Sequence, residues 1–475
     1  MRSPACSDGR NRVGRCATID AMSTTSAGGP APFPEPGPLP RTAGVPPQHA
    51  RPQPVPRSVS PRVTAFAEAA RSATTVAARE AQWRDLVGAG TPLVETLDSH
   101  DCLVTFLWRG PARRVAALVN KLSDASTLES ALLEPVPDTD VWALTLGLGR
   151  AFLGSYALAV VPVDAGEATA GTRGRAEHGG LETRRARALA VSLPERHEAI
   201  AAWFNLLAHA APDPLAREHG GGASVARGPD APRAPVVAGP VSPGRLVPAA
   251  LPGGRRGWWH VPAGPPPAEW DVRVLLDGEH WLEPAAPGSV SAAPRLDALP
   301  AQGAPRRVTL LVEGGDMAAR GRDLTCSPHM VDALRGALDG ADPALLGAPL
   351  TADPARTSIV GRSLGGLLAV YAQCRAPERF GVSVSQSGSF WWPNTGGTAG
   401  SAGQWLTTAI ESSAVHLGRV HLEVGTREWV LLEPTRRLRE VLRGRATVTW
   451  REFDGGHDQV CWDALLPDAL RGAGA

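Results

Sequence analysis

The sequence predicts an α/β chain in three parts. These are a disordered Pro/Ala-rich tail (1–60), a small all-β sandwich with flanking helices and linker (61–245), and a domain with a mostly parallel sheet (250–475). Three observations carry this. Short β-branched and aromatic runs separated by Gly, Pro and Asp crowd residues 102–163, as in small antiparallel sandwiches. Beyond Trp258, near-continuous apolar runs alternate with helix-compatible stretches, the pattern of parallel strands covered on both faces. The first sixty residues are dominated by Pro, Ala, Gly and Arg, with too little apolar surface to offset the entropy of ordering.

The helix-like stretch from Val63 to Val87 sets Phe66, Ala69, Ala70, Val76, Trp83 and Leu86 among Arg and Glu, with Gly88, Gly90 and Pro92 as stops. CLVTFLW, RRVAALV, VWALTLGL and SYALAVV then read as strands, and ERHEAIAAWFNLLAHA as a helix ending at Pro212. Residues 218–254 have linker composition. The later strands are expected at 272–277, 307–313, 357–361, 382–387, 420–425 and 448–453.

Composition narrows the function classes. With 48 Lys+Arg against 47 Asp+Glu there is no bulk field for nucleic acid or a membrane surface, so neither is an expected partner. The basic residues are Arg except for one, Lys121, which fits a GC-rich genome. Six cysteines occur without a C-x-x-C pair, and no apolar run reaches membrane-spanning length. The arginines at positions 2, 10 and 12 are followed by no apolar stretch, which argues against a secretory signal; Met22 is a second candidate start. Together these point to the cytoplasm.

Gly361-Arg362-Ser363-Leu364-Gly365 fits G-x-S-x-G. It follows the strand TSIVG and opens the helix-compatible LGGLLAVYAQC, the strand–turn–helix setting of the nucleophile elbow of α/β-hydrolases. A serine hydroxyl needs a base, and in that fold the order is Ser, acid, His. His457, behind Gly455-Gly456 after the strand VTWREF, supplies the base; His280, His329, His416 and His421 lack that placement. Glu428, after VHLEVG, is the acid; Asp454 and Asp458 stand too close in sequence to reach the far ring nitrogen readily, and a Ser–His dyad is the alternative. Oxyanion donors are the backbone N–H groups of Leu364 and, from the turn after VRVLLD, Gly278, for which a plain turn is the alternative reading. No metal site or phosphate loop is expected.

VLLDGEHW, RGRDLTC, VGRSLGGLLAVYAQCRAPERFGVSVSQSGSFWWP, VGTREWVLLEPTRRLREVL and FDGGHDQVCW, in that order, resemble the enterochelin esterases. Upstream, VTFLWRG, DTDVWALTL, GSYALAV and AAPDPLAR extend the similarity over roughly residues 80–475. The resemblance implies a serine esterase that hydrolyses the trilactone of an iron-loaded catecholate siderophore and releases its iron in the cytoplasm. Ser363, Glu428 and His457 would be catalytic, and no cofactor is needed, since iron enters only with the substrate. Arg320 aligns with a family arginine, with Asp323 where that segment carries Glu. A ferric tris-catecholate is a trianion with aromatic faces; Arg320, Arg322, Arg362 and Arg427 would supply charge, and Trp391 and Trp392 stacking surface. Two rival readings remain: a general aryl or thioester esterase of the same fold, and a catalytically silent siderophore-binding protein.

Overall fold

A computed structural model of the protein describes residues 33–47, 54–164, 175–282, 293–396 and 402–475. Of the expected tail, residues 1–32 and 48–53 lie outside the described residues. The part that is described corrects the expectation of disorder, because Phe33 is buried against Tyr371 and Trp405, and Asn394 bonds the carbonyls of Ala43 and Val45. One aromatic side chain anchors this otherwise Pro-rich segment. The expected helix at 63–87 is two helices, Pro61–Ser72 and Val76–Val87. Ser60 caps the first and Thr75 the second, each accepting from an amide three residues on, and it is the Thr75 cap that restarts the chain.

The strands, in chain order, begin with β1 (Leu93–Thr96), β2 (Asp101–Arg109), β3 (Arg114–Val119), β4 (Glu134–Pro135), β5 (Val141–Gly149) and β6 (Leu153–Val161). Three short ones follow: β7 (Ala210–Ala211), β8 (His219–Gly220) and β9 (Ala223–Arg227). Two antiparallel sheets result, β1-β2-β5-β4 and β3-β6-β9-β8, with β7 pairing β6. Alternate residues of both sheets meet in one core: Val104 and Phe106 of β2 and Leu146 of β5 face Val115 and Ala117 of β3 and Tyr156 of β6. The helix His197–Leu207 covers the outer side of β3 and β6 through Leu206.

The third sheet holds β10 (Arg245–Pro248), β11 (Gly257–Val261), β12 (Val272–Leu276), β13 (Val308–Val312), β14 (Thr357–Arg362), β15 (Val382–Gln386), β16 (Arg419–Gly425) and β17 (Thr447–Phe453). Its order is β10-β11-β13-β12-β14-β15-β16-β17, parallel from β13 onward. Strand periodicity divides the side chains between two cores: Val272, Val274 and Leu276 enter one, and Leu275 the other. The first core lies under the helices Pro328–Asp339 and Leu364–Arg375, the second under Gln459–Ala473. The expected linker at 218–254 is corrected where it forms β8, β9 and β10. ASVAR is β9, paired to β6, and RLVP is the edge strand β10, where Pro248 is tolerated.

Candidate active site

The parallel strands end on one side of the sheet, and the predicted nucleophile, acid and histidine stand on the loops that leave it. β14 turns into the helix Leu364–Arg375 at Ser363, whose φ of 57° and ψ of −120° are strained for a residue with a side chain. Gly361 lets the turn close, since a Cβ there would lie 2.2 Å from the carbonyl of Gly365. The Ser363 N–H donates to Gln386 O at 3.0 Å and its carbonyl accepts from Ser389 N at 2.9 Å, fixing the elbow to the end of β15. The Ser363 Oγ is 3.4 Å from Ser389 Oγ; among the described residues no hydrogen bond joins it to His457. Such bonds are often long in unliganded enzymes and tighten around substrate.

Glu428 follows β16 and is wholly buried, whereas the His457 side chain is 26% exposed. One Glu428 oxygen contacts His457 Nδ1 at 2.8 Å. The other accepts from Ser387 Oγ at 2.5 Å and from the Gly425 amide at 2.9 Å. Ser387 Oγ in turn accepts from Trp462 Nε1 at 2.8 Å, and the Trp462 ring stands edge-on to His457, 4.8 Å between centroids. Each Glu428 oxygen is therefore committed, which orients the imidazole with Nε2 left for another partner. The nearer carboxylates are engaged elsewhere. Asp454 pairs with Arg427 at 2.8 Å, and Asp458 caps the last helix and accepts from the Ser155 amide.

Leu364 opens the elbow helix, in the turn whose amides have no intrahelical acceptor. Gly278 follows β12, the neighbour of β14, and a Cβ there would strike the backbone of Val312. In that turn the Asp277 carboxylate lies 3.5 Å from where a Gly365 Cβ would stand, and Arg320 grips it with bonds of 2.7 and 2.8 Å.

The stacking contacts expected of Trp391 and Trp392 are corrected. Trp391 and Trp392 are 3% and 1% exposed, packed in the sheet core with Trp392 against Trp405, so neither offers a face for stacking. Arg362 sits between the rings of Trp281 and Trp462 and bonds Asp463 and Gln386. Burial draws its pKa below the usual arginine range, with Asp463 opposing. Arg320 and Arg427 are likewise engaged by Asp277 and Asp454, and Arg322 is exposed on the helix Met317–Asp323. Sequence reasoning missed Ser387, Ser389 and Trp462, whose only signal was membership of the SQSGSFWWP and FDGGHDQVCW runs. It also missed two sandwich residues, Asn120, which donates to the carbonyl of His457, and Lys121, over the ring of Trp429.

Among the described residues no group of three or more His, Cys, Asp or Glu is placed to hold a metal ion. Nor is any helix there long and apolar enough to cross a membrane.

The family described as "Enterochelin esterase, N-terminal" matches residues 103–237, and the one described as "Putative esterase" matches 259–473. An iron(III) enterobactin esterase of Dickeya dadantii is 31% identical over 439 residues, 83% of this chain and 93% of that protein. Among solved structures, the ferric enterobactin esterase of Salmonella typhimurium superposes with a TM-score of 0.65 at 28% identity, over 82% of this chain and 98% of that one. The enterobactin esterase of Shigella flexneri, crystallised in the presence of enterobactin, gives 0.63 at 27% identity, over 83% and 97%. Sequence similarity over most of the chain, a matching fold and an elbow serine with its histidine–carboxylate pair agree: the chain belongs to the enterochelin esterase family of carboxylic ester hydrolases.

Proposed function

We propose that the protein is a cytoplasmic serine esterase that opens the trilactone of an iron-loaded catecholate siderophore such as enterobactin. The observation that carries this reading is the Glu428–His457 contact of 2.8 Å, on the side of the sheet that also presents the strained Ser363 elbow. Ser363 Oγ attacks an ester carbonyl as His457 Nε2 takes its proton, and Glu428 holds the imidazole and stabilises its positive charge. The tetrahedral oxyanion is met by the N–H of Leu364 and one from the Gly278 turn. His457 then returns the proton to the leaving alkoxide. Water, activated by the same histidine, attacks the acyl-enzyme and frees Ser363. Opening the trilactone separates the three catecholate arms, so iron is held less tightly and can be released.

Two layers share this work: a sandwich domain over 61–245 that shapes one wall of the cleft, and an esterase domain over 250–475. The domain assignment is supported by the sheet topology and by hydrogen bonds from Asn120 and Ser155 to the His457 loop. A general aryl or thioester esterase is the second reading, favoured by the engagement of Arg320, Arg362 and Arg427 with internal carboxylates. The two readings part on kcat/KM. A catecholate triester strongly preferred over p-nitrophenyl acetate supports the first, and equal values support the second. In either case Ser363→Ala should lower turnover by about a thousandfold or more with folding intact.

A further inference from the structure

A trianionic substrate needs cations at the site, yet three of the four arginines expected there are held by carboxylates, Arg320 by Asp277, Arg362 by Asp463 and Arg427 by Asp454, and the fourth, Arg322, is exposed on the helix Met317–Asp323. One cation beside the catalytic pair is not so held. Lys121 follows β3 of the sandwich, its ammonium 5.0 Å from the centre of the Trp429 ring, next along the chain from Glu428. Among the described residues it forms no ion pair, and its ammonium's contact is with that ring. Burial pulls its pKa below the ordinary lysine value, partly opposed by the charges of Glu428 and Asp124.

Three independent features mark this lysine. It is the one lysine among 48 basic residues. Its backbone is left-handed, with φ of 60°, a conformation that glycine or asparagine would adopt at less cost. Its stem packs on Gly456, the residue before His457, where a Cβ would come within 2.4 Å of Lys121 Cγ. The neighbouring Asn120 donates to the His457 carbonyl at 3.2 Å, so the turn is seated on the histidine loop. A turn kept only for its shape has no use for an ammonium aimed over an aromatic ring beside the catalytic carboxylate. A compact, three-donor cation on a flexible stem suits a single oxyanion, whereas the planar guanidinium suits paired oxygens.

We infer that Lys121 is the sandwich's substrate-binding residue: held over Trp429 beside the Glu428–His457 pair, its ammonium takes an anionic catecholate oxygen while an ester is presented to Ser363. This rests on the siderophore reading above. It also explains why the sandwich is joined to the esterase sheet at the histidine loop, since the cation must be carried in from outside that sheet.

The test uses the full-length chain as wild type, Lys121→Met, Lys121→Gln and Lys121→Arg, with ferric enterobactin as the anionic ester and p-nitrophenyl acetate as the neutral one. The quantity read is the ratio of kcat/KM on the two substrates. Removing one charge-assisted contact should lower that ratio about tenfold in the two neutral variants, through KM for the ferric substrate. Lys121→Arg, which keeps the charge, should recover most of it. Two neutral side chains of different polarity are used so that a packing defect in one does not decide the result, and the Tm of each is measured alongside. Equal losses on the two substrates, a loss confined to kcat, or no change would overturn the inference. A wild type active on p-nitrophenyl acetate but inert on the ferric triester would sink the siderophore reading, and this inference with it. An active wild type with an unchanged ratio in the variants would sink the inference alone.

Discussion

Glu428 shows how much of a site can depend on one side chain. From a fully buried position it makes three contacts, one oxygen facing His457 and the other accepting from both Ser387 and the Gly425 amide. Glu428→Gln keeps the volume but replaces one acceptor oxygen with an NH₂ donor, so His457 Nδ1 loses its anionic partner or the amide must turn over against Gly425. Loss of that charge and of the preferred tautomer should lower kcat by about a hundredfold or more, while Tm falls little. Steady-state kinetics and a thermal melt read both, and a variant with wild-type kcat would favour a Ser–His dyad. The placement of Ser363 in a strand-to-helix turn and of His457 just past a strand was legible in the sequence, because glycine spacing and a preceding strand constrain both locally. The misreading of Trp391 and Trp392 has the opposite origin. Aromatic residues near a nucleophile in sequence carry no record of which way the chain turns, and here it turns them into the core.

At the scale of elements, runs with strong periodicity were read correctly, and short pieces stabilised by pairing alone were not. β12 and β13 are almost wholly apolar and buried at every position, so burial specifies them from composition. β9 lies in a Gly/Ala/Pro-rich stretch and exists because β6 offers it an edge, from Leu153↔Arg227 to Tyr156↔Ser224. Its outer end is fixed by a fork of bonds from Arg227 to Glu218. That contact, chiefly the hydrogen bond from Arg227, holds the Glu218 carboxyl below its usual range of about 4.5. A carboxylate with a depressed folded pKa stabilises the fold above its unfolded pKa and loses that contribution as pH falls through the folded value. Glu218 is 37% exposed, so solvent screening limits the effect to about 0.5 kcal/mol. Glu218→Gln should therefore be slightly less stable than wild type at pH 7, with the gap closing below about pH 4, as read by denaturant melts. A gap that widens on acidification would contradict this account of β9.

At the scale of the whole described body, the sandwich and the esterase sheet share a small core. Leu153, Val225 and Ala231 from the first meet Phe453, Val460, Cys461, Ala464 and Leu465 from the second. The backbone continues across the seam: Leu153 N donates to Asp454 O at 2.9 Å, and the Cys461 thiol donates to Leu153 O at 3.2 Å. The histidine loop thus lies between two layers, and neither layer alone satisfies it. This junction was not legible in the sequence, because its residues are ordinary apolar ones separated by about three hundred positions. Burial raises the Cys461 thiol well above its usual range, so in the intact chain it should resist alkylation at neutral pH. A fragment of residues 243–475 should expose it. Mass spectrometry after iodoacetamide treatment distinguishes the two, and equal labelling in both would mean that the seam does not hold in solution.

In the proposed reaction Ser363, served by His457 and Glu428, cleaves the esters of an iron-loaded catecholate triester. Its most direct test is a chromatographic time course of the purified full-length chain with ferric enterobactin, Ser363→Ala alongside. Linear dihydroxybenzoyl-serine products should accumulate with wild type alone. Product from Ser363→Ala at the wild-type rate would contradict the nucleophile. A wild type that hydrolyses p-nitrophenyl esters yet leaves ferric enterobactin intact would contradict the substrate.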